Sequence, residues 1–95
     1  MNNIKFEWDD EKNRANVEKH GVSFYEAIKV FEDDFRIEIY DYKHSSLDED
    51  RYDVIGIADD VLFVVYAERS ETTRLISARY ATKTEREMYE ERKKP

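Results

Sequence analysis

Near its start the chain carries cationic and polar residues at spacings that place them along one side of a helix. Lys12, Asn16 and Lys19 follow an i, i+4, i+7 pattern, and His20 comes directly after them. Imidazole titrates near neutral pH and can act as general base or general acid. The neighbouring ammonium and amide groups can hold a phosphate or a sugar. This set predicts cleavage of RNA by its own 2′-hydroxyl, with cations stabilising the phosphorane and with no metal or cofactor.

Each of these residues also has a structural interpretation. The protonated form of His20 would be favoured by the helix macrodipole at a C-terminus. Lys12 or Lys19, taken alone, can simply balance nearby acidic side chains. The sequence leaves both interpretations open.

A predicted strand near the end of the chain carries two further arginines. Arg79 shares one strand face with Ser77, whereas the alternation of side chains places Arg74 on the other face. Arg79 can bind a phosphate with two parallel hydrogen bonds and stabilise the phosphorane. The alternative for Arg79 is an ion pair with an acid on a neighbouring strand.

Two more charged residues are candidates for catalysis. Glu68 follows an apolar strand and can act as a base, or it can pair with an arginine. Arg51 can stabilise the transition state, or it can pair with Asp48 or Asp50. Trp8 is interpreted as a core residue, with base stacking as the alternative.

The net charge of −7 argues against indiscriminate binding of nucleic acid. Residues 1–68 carry −10 and residues 69–95 carry +3. An anion-binding surface should therefore draw on cations of the last segment, above all Arg69, Arg74, Arg79, Lys83 and Arg86. The acidic remainder suits a basic protein partner or serves only to keep the protein soluble.

Several functional classes are set aside by composition. The chain has no Cys, no glycine-rich phosphate loop and no nucleophile elbow, and His44 in its acidic surroundings is a weak candidate for a cation site. No metal and no cofactor is expected. The sequence shows no signal peptide and no apolar run that could span a bilayer, so we expect one domain over residues 1–95 in the cytoplasm, without membrane contact.

Periodicity predicts the elements that must position these residues. An alternating strand over residues 4–8 precedes a helix over 10–20, which Asp9 caps and Gly21 ends. This helix is polar all round. An amphipathic second helix, four strands and a charged final helix follow, near residues 24–31, 35–40, 52–57, 61–66, 74–80 and 83–94. The strand over 61–66 is apolar enough to be central, and Asp59-Asp60 is predicted as a two-residue hairpin turn. The order β-α-α-β-β-β-β-α predicts an α+β fold with an antiparallel sheet.

Blocks of residues along nearly the whole chain resemble the BrnT family of bacterial toxins. They are Phe6-Glu7-Trp8-Asp9, Lys12, Asn16, Lys19-His20-Gly21-Val22-Ser23-Phe24, Glu26-Ala27, Ile55-Gly56, Glu68-Arg69, Ile76-Ser77-Ala78-Arg79, Ala81-Thr82 and Glu85-Arg86. The resemblance implies a compact RelE-like α+β fold. It also implies a type II toxin–antitoxin module in which the toxin cleaves RNA, free or ribosome-bound, and halts translation.

The resemblance further implies a BrnA-like antitoxin whose ribbon-helix-helix half binds promoter DNA, so the toxin meets DNA only indirectly. A toxin dimer within the complex is compatible with it. The family's candidate active-site positions fall on Lys12, His20, Arg51, Glu68, Arg74 and Arg79. We assign His20, Glu68, Arg51 and Arg79 to catalysis and Lys12, Asn16, Arg74 and Lys83 to substrate binding. The alternative function is a non-catalytic, acidic binding module, a decayed toxin that acts through a basic partner.

Overall fold

The computed structural model describes residues 4–95 and confirms the predicted α+β class and order of elements. The strands are β1 (Lys5–Glu7), β2 (Ile37–Tyr40), β3 (Asp50–Ala58), β4 (Asp60–Arg69) and β5 (Thr72–Tyr80). The α-helices are α1 (Asp10–His20), α2 (Phe24–Ala27) and α3 (Lys83–Lys93), and a 3₁₀ segment (Ile28–Glu32) continues α2.

The five strands form one sheet in the order β1-β5-β4-β3-β2. Strands β2 to β5 are an antiparallel meander, as short connections require, while β1 joins the sheet parallel to β5. β1 covers only residues 72–74 of β5. The remaining length of β5 therefore has no strand on its outer side within residues 4–95, and α1 packs there instead.

The helix caps follow the predicted chemistry. The Asp9 carboxylate accepts hydrogen bonds from the backbone N–H groups of Glu11 and Lys12. Gly21 ends α1 at φ +73, a left-handed conformation in which a side chain would be strained. Thr82 and Glu85 form a reciprocal capping box at the start of α3.

The segment from α2 to β2 differs from the sequence prediction. Only residues 24–27 are α-helical, and the next turn is the tighter 3₁₀ form that is common at helix ends. β2 begins at Ile37 rather than at Phe35. The Asp33 carboxylate accepts from the Phe35 N–H at 2.9 Å, and the Asp33 carbonyl accepts from the Arg36 N–H, so these residues form a turn.

The β3–β4 hairpin is tighter than predicted. Ala58 pairs with Asp60, so Asp59 alone forms the tip, at φ +66. Asp tolerates this left-handed conformation better than most residues with a Cβ. The predicted central position of residues 61–66 is confirmed, because β4 lies in the middle of the sheet.

Two hydrophobic clusters hold the sheet from opposite faces. The larger one packs α2 and the 3₁₀ segment on one face, around Phe24, Val30 and Tyr66. The smaller one packs α3 on the other face through Tyr89 and Ile55. α3 covers only part of that second face, which leaves the rest available for function.

Replacing Gly56 by alanine is expected to destabilise the fold. An added Cβ would lie 2.6 Å from Cγ1 of the fully buried Val30 and 3.2 Å from Cβ of Arg36. Overpacking of this kind costs about 1–3 kcal/mol. Urea denaturation of G56A should show this loss, and the loss should shrink when G56A is combined with V30A. Equal losses in both backgrounds would contradict the steric explanation.

Candidate active site

A hollow of about 220 Å³ lies where α1 meets β5, and several residues predicted to form the active site line it. Its lining residues are Lys12, Ala15, Asn16, Lys19, His20, Ile76 and Ser77. No salt bridge within residues 4–95 involves its two lysines or its histidine. The structure therefore gathers two available ammonium groups and an imidazole beside one strand.

Asn16 holds α1 against the free edge of β5. Its Nδ2 donates to the carbonyls of Val22 and Ala78, both at 2.8 Å, and its Oδ1 accepts from the Ala78 N–H at 3.1 Å. The side chain thus pairs with Ala78 as a neighbouring strand would, and it also fixes the loop after His20. Asn16 is 7% exposed and all of these groups are occupied. This geometry favours a positioning role for Asn16 over direct contact with a substrate.

A β-bulge in β5 changes which arginines share a face. Ser77 pairs with Val65 and Leu75 with Tyr66, so Ile76 has no partner on β4. The extra residue shifts the alternation of side chains between the two faces of the sheet by one position. Arg74, Ser77 and Arg79 therefore lie on one face, opposite Ala67, Val65 and Phe63 of β4. The prediction that Arg74 and Arg79 occupy opposite faces was wrong for this reason.

Arg51 joins the same face through its pairing with Ala67. We call the face that carries Arg51, Arg74 and Arg79 the arginine face. Ser77 belongs both to this face and to the hollow, so the two surfaces adjoin at the bulge. Arg79 itself does not line the hollow.

Each arginine of this face is engaged by a carboxylate. Arg79 donates from Nη1 and Nη2 to the two oxygens of Glu85, at 2.8 and 2.9 Å, and lies 4.2 Å from the centre of the Phe63 ring. Arg74 donates to Glu7 at 3.2 Å. Arg51 pairs with Glu49, not with Asp48 or Asp50, because the Glu49 carboxylate bridges Arg51 and Arg69.

The pKa values of Glu85, Arg79 and Glu49 shift in the expected directions. The hydrogen bond with Arg79 lowers the pKa of Glu85, and the same bond raises the pKa of Arg79. Hydrogen bonds from Arg69 and then Arg51 lower the pKa of Glu49. The Glu85 and Glu49 carboxylates therefore stay ionised and neutralise their guanidinium partners at neutral pH.

The remaining candidates lie apart from the hollow. Glu68 pairs with Asp50 and Thr73 in the sheet register, which places it on the face opposite the arginines. Lys83 is exposed at the start of α3. Trp8 makes edge contacts with the rings of Phe24 and Tyr25, which fits a packing role. The structure thus brings together Lys12, Asn16 and His20, and it leaves His20 as the titratable candidate at the hollow.

Sequence reasoning missed one residue of the arginine face. Asp53 lies on this face, in the same row as Val65 and Ser77, and burial followed by the charge of Asp41 raises its pKa. A half-buried carboxyl beside a candidate site is a functional signal. A lone Asp inside the apolar strand over residues 52–57 could have indicated it.

Replacing Glu85 by glutamine is expected to weaken the acid sensitivity of the fold. The folded pKa of Glu85 lies below its ordinary value of 4.5, so its stabilising effect is complete above that pH. The effect is lost as the pH falls below 4.5 through the folded pKa. Urea midpoints from pH 7 to 3 should fall less steeply in E85Q than in the wild type. Parallel curves would contradict an energetic role for the Arg79–Glu85 pair.

Two negative findings concern only the described part of the chain. No three His, Asp or Glu side chains of residues 4–95 come together in a group that could hold a metal ion. No helix in this range is long and apolar enough to cross a membrane.

Comparison with known families decides the wider identity. The family model described as "Ribonuclease toxin, BrnT, of type II toxin-antitoxin system" matches residues 8–85, which include α1, the hollow and the arginine face. This chain belongs to the BrnT family. The resemblance seen in the sequence is thereby confirmed, and membership of a type II family implies a protein antitoxin as partner.

A solved structure shares the BrnT fold. The crystal structure of the Brucella abortus ribonuclease toxin BrnT matches with a TM-score of 0.62 and 23% sequence identity. The match covers 84% of this chain and 99% of the Brucella chain. At this identity the likeness supports the fold. A search of curated proteins found no match.

Proposed function

We propose that this BrnT-family chain is a metal-independent endoribonuclease that inhibits translation and is neutralised by a BrnA-like ribbon-helix-helix antitoxin. The observation that carries the proposal is the hollow at the bulged edge of β5. The hollow combines an imidazole with two ammonium groups that have no carboxylate partner among the described residues. The chain that carries it belongs to a family of ribonuclease toxins.

The scissile phosphate binds in the hollow. Lys12 and Lys19 lie two helical turns apart on α1 and supply ammonium groups from one side, while the strand supplies Ser77 from the other. The phosphorane carries more negative charge than the bound phosphodiester, so the two ammonium groups stabilise the phosphorane more strongly. This gives preferential stabilisation of the transition state.

His20 transfers one of the two protons of the reaction: it removes the 2′-hydroxyl proton as general base, and the 5′-oxygen leaving group then takes a proton from solvent water. In the reverse assignment, water removes the 2′-hydroxyl proton and protonated His20 gives its proton to the 5′-oxygen. Either way the P–O5′ bond breaks as the 2′-oxygen bonds to phosphorus, and the products are a 2′,3′-cyclic phosphate and a 5′-hydroxyl end. Glu68 lies on the other face of the sheet and is not needed for this assignment.

The arginine face holds the neighbouring nucleotides. Arg74 and Arg79 lie along the same strand face as Ser77, and Arg51 lies across β4 from Arg74. Phosphates compete with Glu7, Glu49 and Glu85 for these guanidinium groups. This competition lowers the affinity for free RNA and fits the acidic net charge of the chain.

The test is RNA cleavage by the antitoxin-free protein in EDTA, with naked RNA and with translating ribosomes. We expect new 5′-hydroxyl ends and 2′,3′-cyclic phosphates. The single variants K12A and K19A should each cleave RNA faster than the double variant K12A/K19A. A complete lack of cyclic phosphate product under both conditions would contradict the proposal.

One observation favours the alternative of a non-catalytic binding module. Every arginine of the arginine face is already paired within the molecule. In that case, R79A should lower the melting temperature, and overproduction of the wild-type protein should leave RNA intact. If the wild-type protein cleaves RNA and the K12A/K19A variant does not, this alternative is excluded.

A further inference from the structure

The outer edge of β2 is open and lies inside the most acidic segment of the chain. Residues 32–50 contain eight Asp/Glu and two Lys/Arg, a net −6 out of the total of −7. β2 ends the sheet, and within residues 4–95 no strand pairs with its outer side. An open edge presents unpaired backbone groups to an incoming strand.

The register shows which backbone groups face outward. The Asp41 N–H donates to the Arg51 carbonyl at 2.8 Å, so Asp41 and, by alternation, Ile39 direct their backbone groups toward β3. Glu38 and Tyr40 therefore direct their N–H and C=O groups away from the sheet. These two residues offer an incoming strand two donors and two acceptors.

Exposed apolar side chains surround this edge. Phe35 is 44% exposed, Ile39 38% and Tyr42 84%, and Leu47 is fully exposed. The Tyr42 ring makes an edge contact with Tyr40 and can accept a cation on its free face. The edge thus combines strand pairing, apolar contact and negative charge.

We infer that the open edge of β2 is the docking site of the antitoxin, through an extended segment that alternates apolar residues with Lys or Arg. This inference rests on the proposed function for the identity of the partner. Strand addition gives affinity through main-chain hydrogen bonds, and side chains on alternate positions give specificity.

Charge decides between this partner and two others. A second copy of the chain would bring another segment of net −6 to the same edge, and RNA would bring its phosphates. Both would be repelled, whereas a basic peptide segment is attracted and steered to the edge. The edge lies on the far side of the sheet from β5 and the hollow, so docking leaves the hollow outside the contact.

The first test is backbone hydrogen exchange by NMR on the isotope-labelled chain, free and bound to a full-length BrnA-like ribbon-helix-helix antitoxin. We expect the amides of Glu38 and Tyr40 to exchange at least about tenfold more slowly in the complex, because they gain hydrogen bonds. The Ile39 amide, already directed toward β3, serves as the internal control. A stable complex in which Glu38 and Tyr40 exchange as fast as in the free chain would overturn the inference, and so would no complex at all.

The second test reverses charge beside the edge. Asp34, in the turn before β2, and Asp48, in the loop after it, are exposed and make no ion pair or side-chain hydrogen bond within residues 4–95. The variant D34K/D48K should bind the antitoxin at least about tenfold more weakly. The matched control E87K/E90K changes the net charge equally at exposed positions on α3 and should retain nearly the wild-type affinity.

These tests separate the inference from the proposed function. Binding is measured without RNA, and cleavage is measured without antitoxin. If both charge variants bind the antitoxin equally, the docking site is wrong even when RNA is cleaved. If RNA stays intact while the edge variant alone loses antitoxin affinity, the ribonuclease proposal fails and the docking site stands.

Discussion

Replacing His20 by glutamine is expected to lower the rate of RNA cleavage by about 100- to 10,000-fold, the usual contribution of a general acid or base. Glutamine keeps polar atoms at the end of α1, but it cannot exchange a proton near neutral pH. His20 is partly exposed at the hollow and makes no side-chain hydrogen bond within residues 4–95, so its loss should change the melting temperature little. Rates from cyclic-phosphate formation and melting curves measure both quantities.

The matched control is H44Q, because His44 is the other histidine of the chain. His44 lies in the loop after β2, where its Nδ1 contacts Asp41 at 2.7 Å. H44Q should cleave RNA as fast as the wild type. The pH–rate profile of H20Q should also lose the limb near neutrality. A profile that keeps this limb would assign proton transfer to another group.

Replacing Asn16 by leucine is expected to cause the largest loss of stability, about 3–5 kcal/mol. Leucine fills a similar volume, but it leaves the Ala78 N–H and the carbonyls of Ala78 and Val22 without their partner. Each buried backbone group left unpaired costs about 1–3 kcal/mol. Since α1 is otherwise polar, no buried stripe compensates, and the helix should detach from β5.

Asn13 provides a control of the same residue type on the same helix. Its Oδ1 accepts one hydrogen bond, from the Phe24 N–H at 2.8 Å. N13A should therefore cost only about 1–2 kcal/mol. If N16L does not fold, N16D supplies the measurement, because Asp keeps an acceptor for the Ala78 N–H and loses both donated bonds. Equal urea midpoints for N13A and N16D would contradict the edge-pairing role of Asn16.

Local patterns were sufficient for the elements and their caps. Asp9 and Gly21 bound α1 as predicted, because caps depend on residues within one turn. The apolar run over residues 61–66 predicted the central strand, since a strand whose two faces are both covered by packed elements carries apolar residues at successive positions. The family resemblance was carried by the same local blocks.

Local patterns did not predict the strand pairing and ion pairs that depend on residues distant in the sequence. The parallel pairing of β1 with β5 joins residues 67 positions apart, such as Lys5 and Thr72, and nothing in either segment specifies it. The alternative interpretation of Arg51 was a pair with Asp48 or Asp50, but Glu49 bridges Arg51 and Arg69, which meet only through the sheet. The alternative interpretation of Arg79 placed its partner on a neighbouring strand, whereas the partner lies on α3.

The sequence alone determined the α+β class, the caps, the BrnT family and the set of polar residues on α1, because short-range spacing encodes all of these. Only the tertiary structure decided what those residues do. The bulge at Ile76 brings Arg74 to the face of Arg79, and the pairing of Asn16 with Ala78 brings Lys12 and His20 to the edge of β5. The bulge depends on the register between β4 and β5, and the Asn16–Ala78 contact joins residues 62 positions apart. Residue types along one segment do not encode either of them.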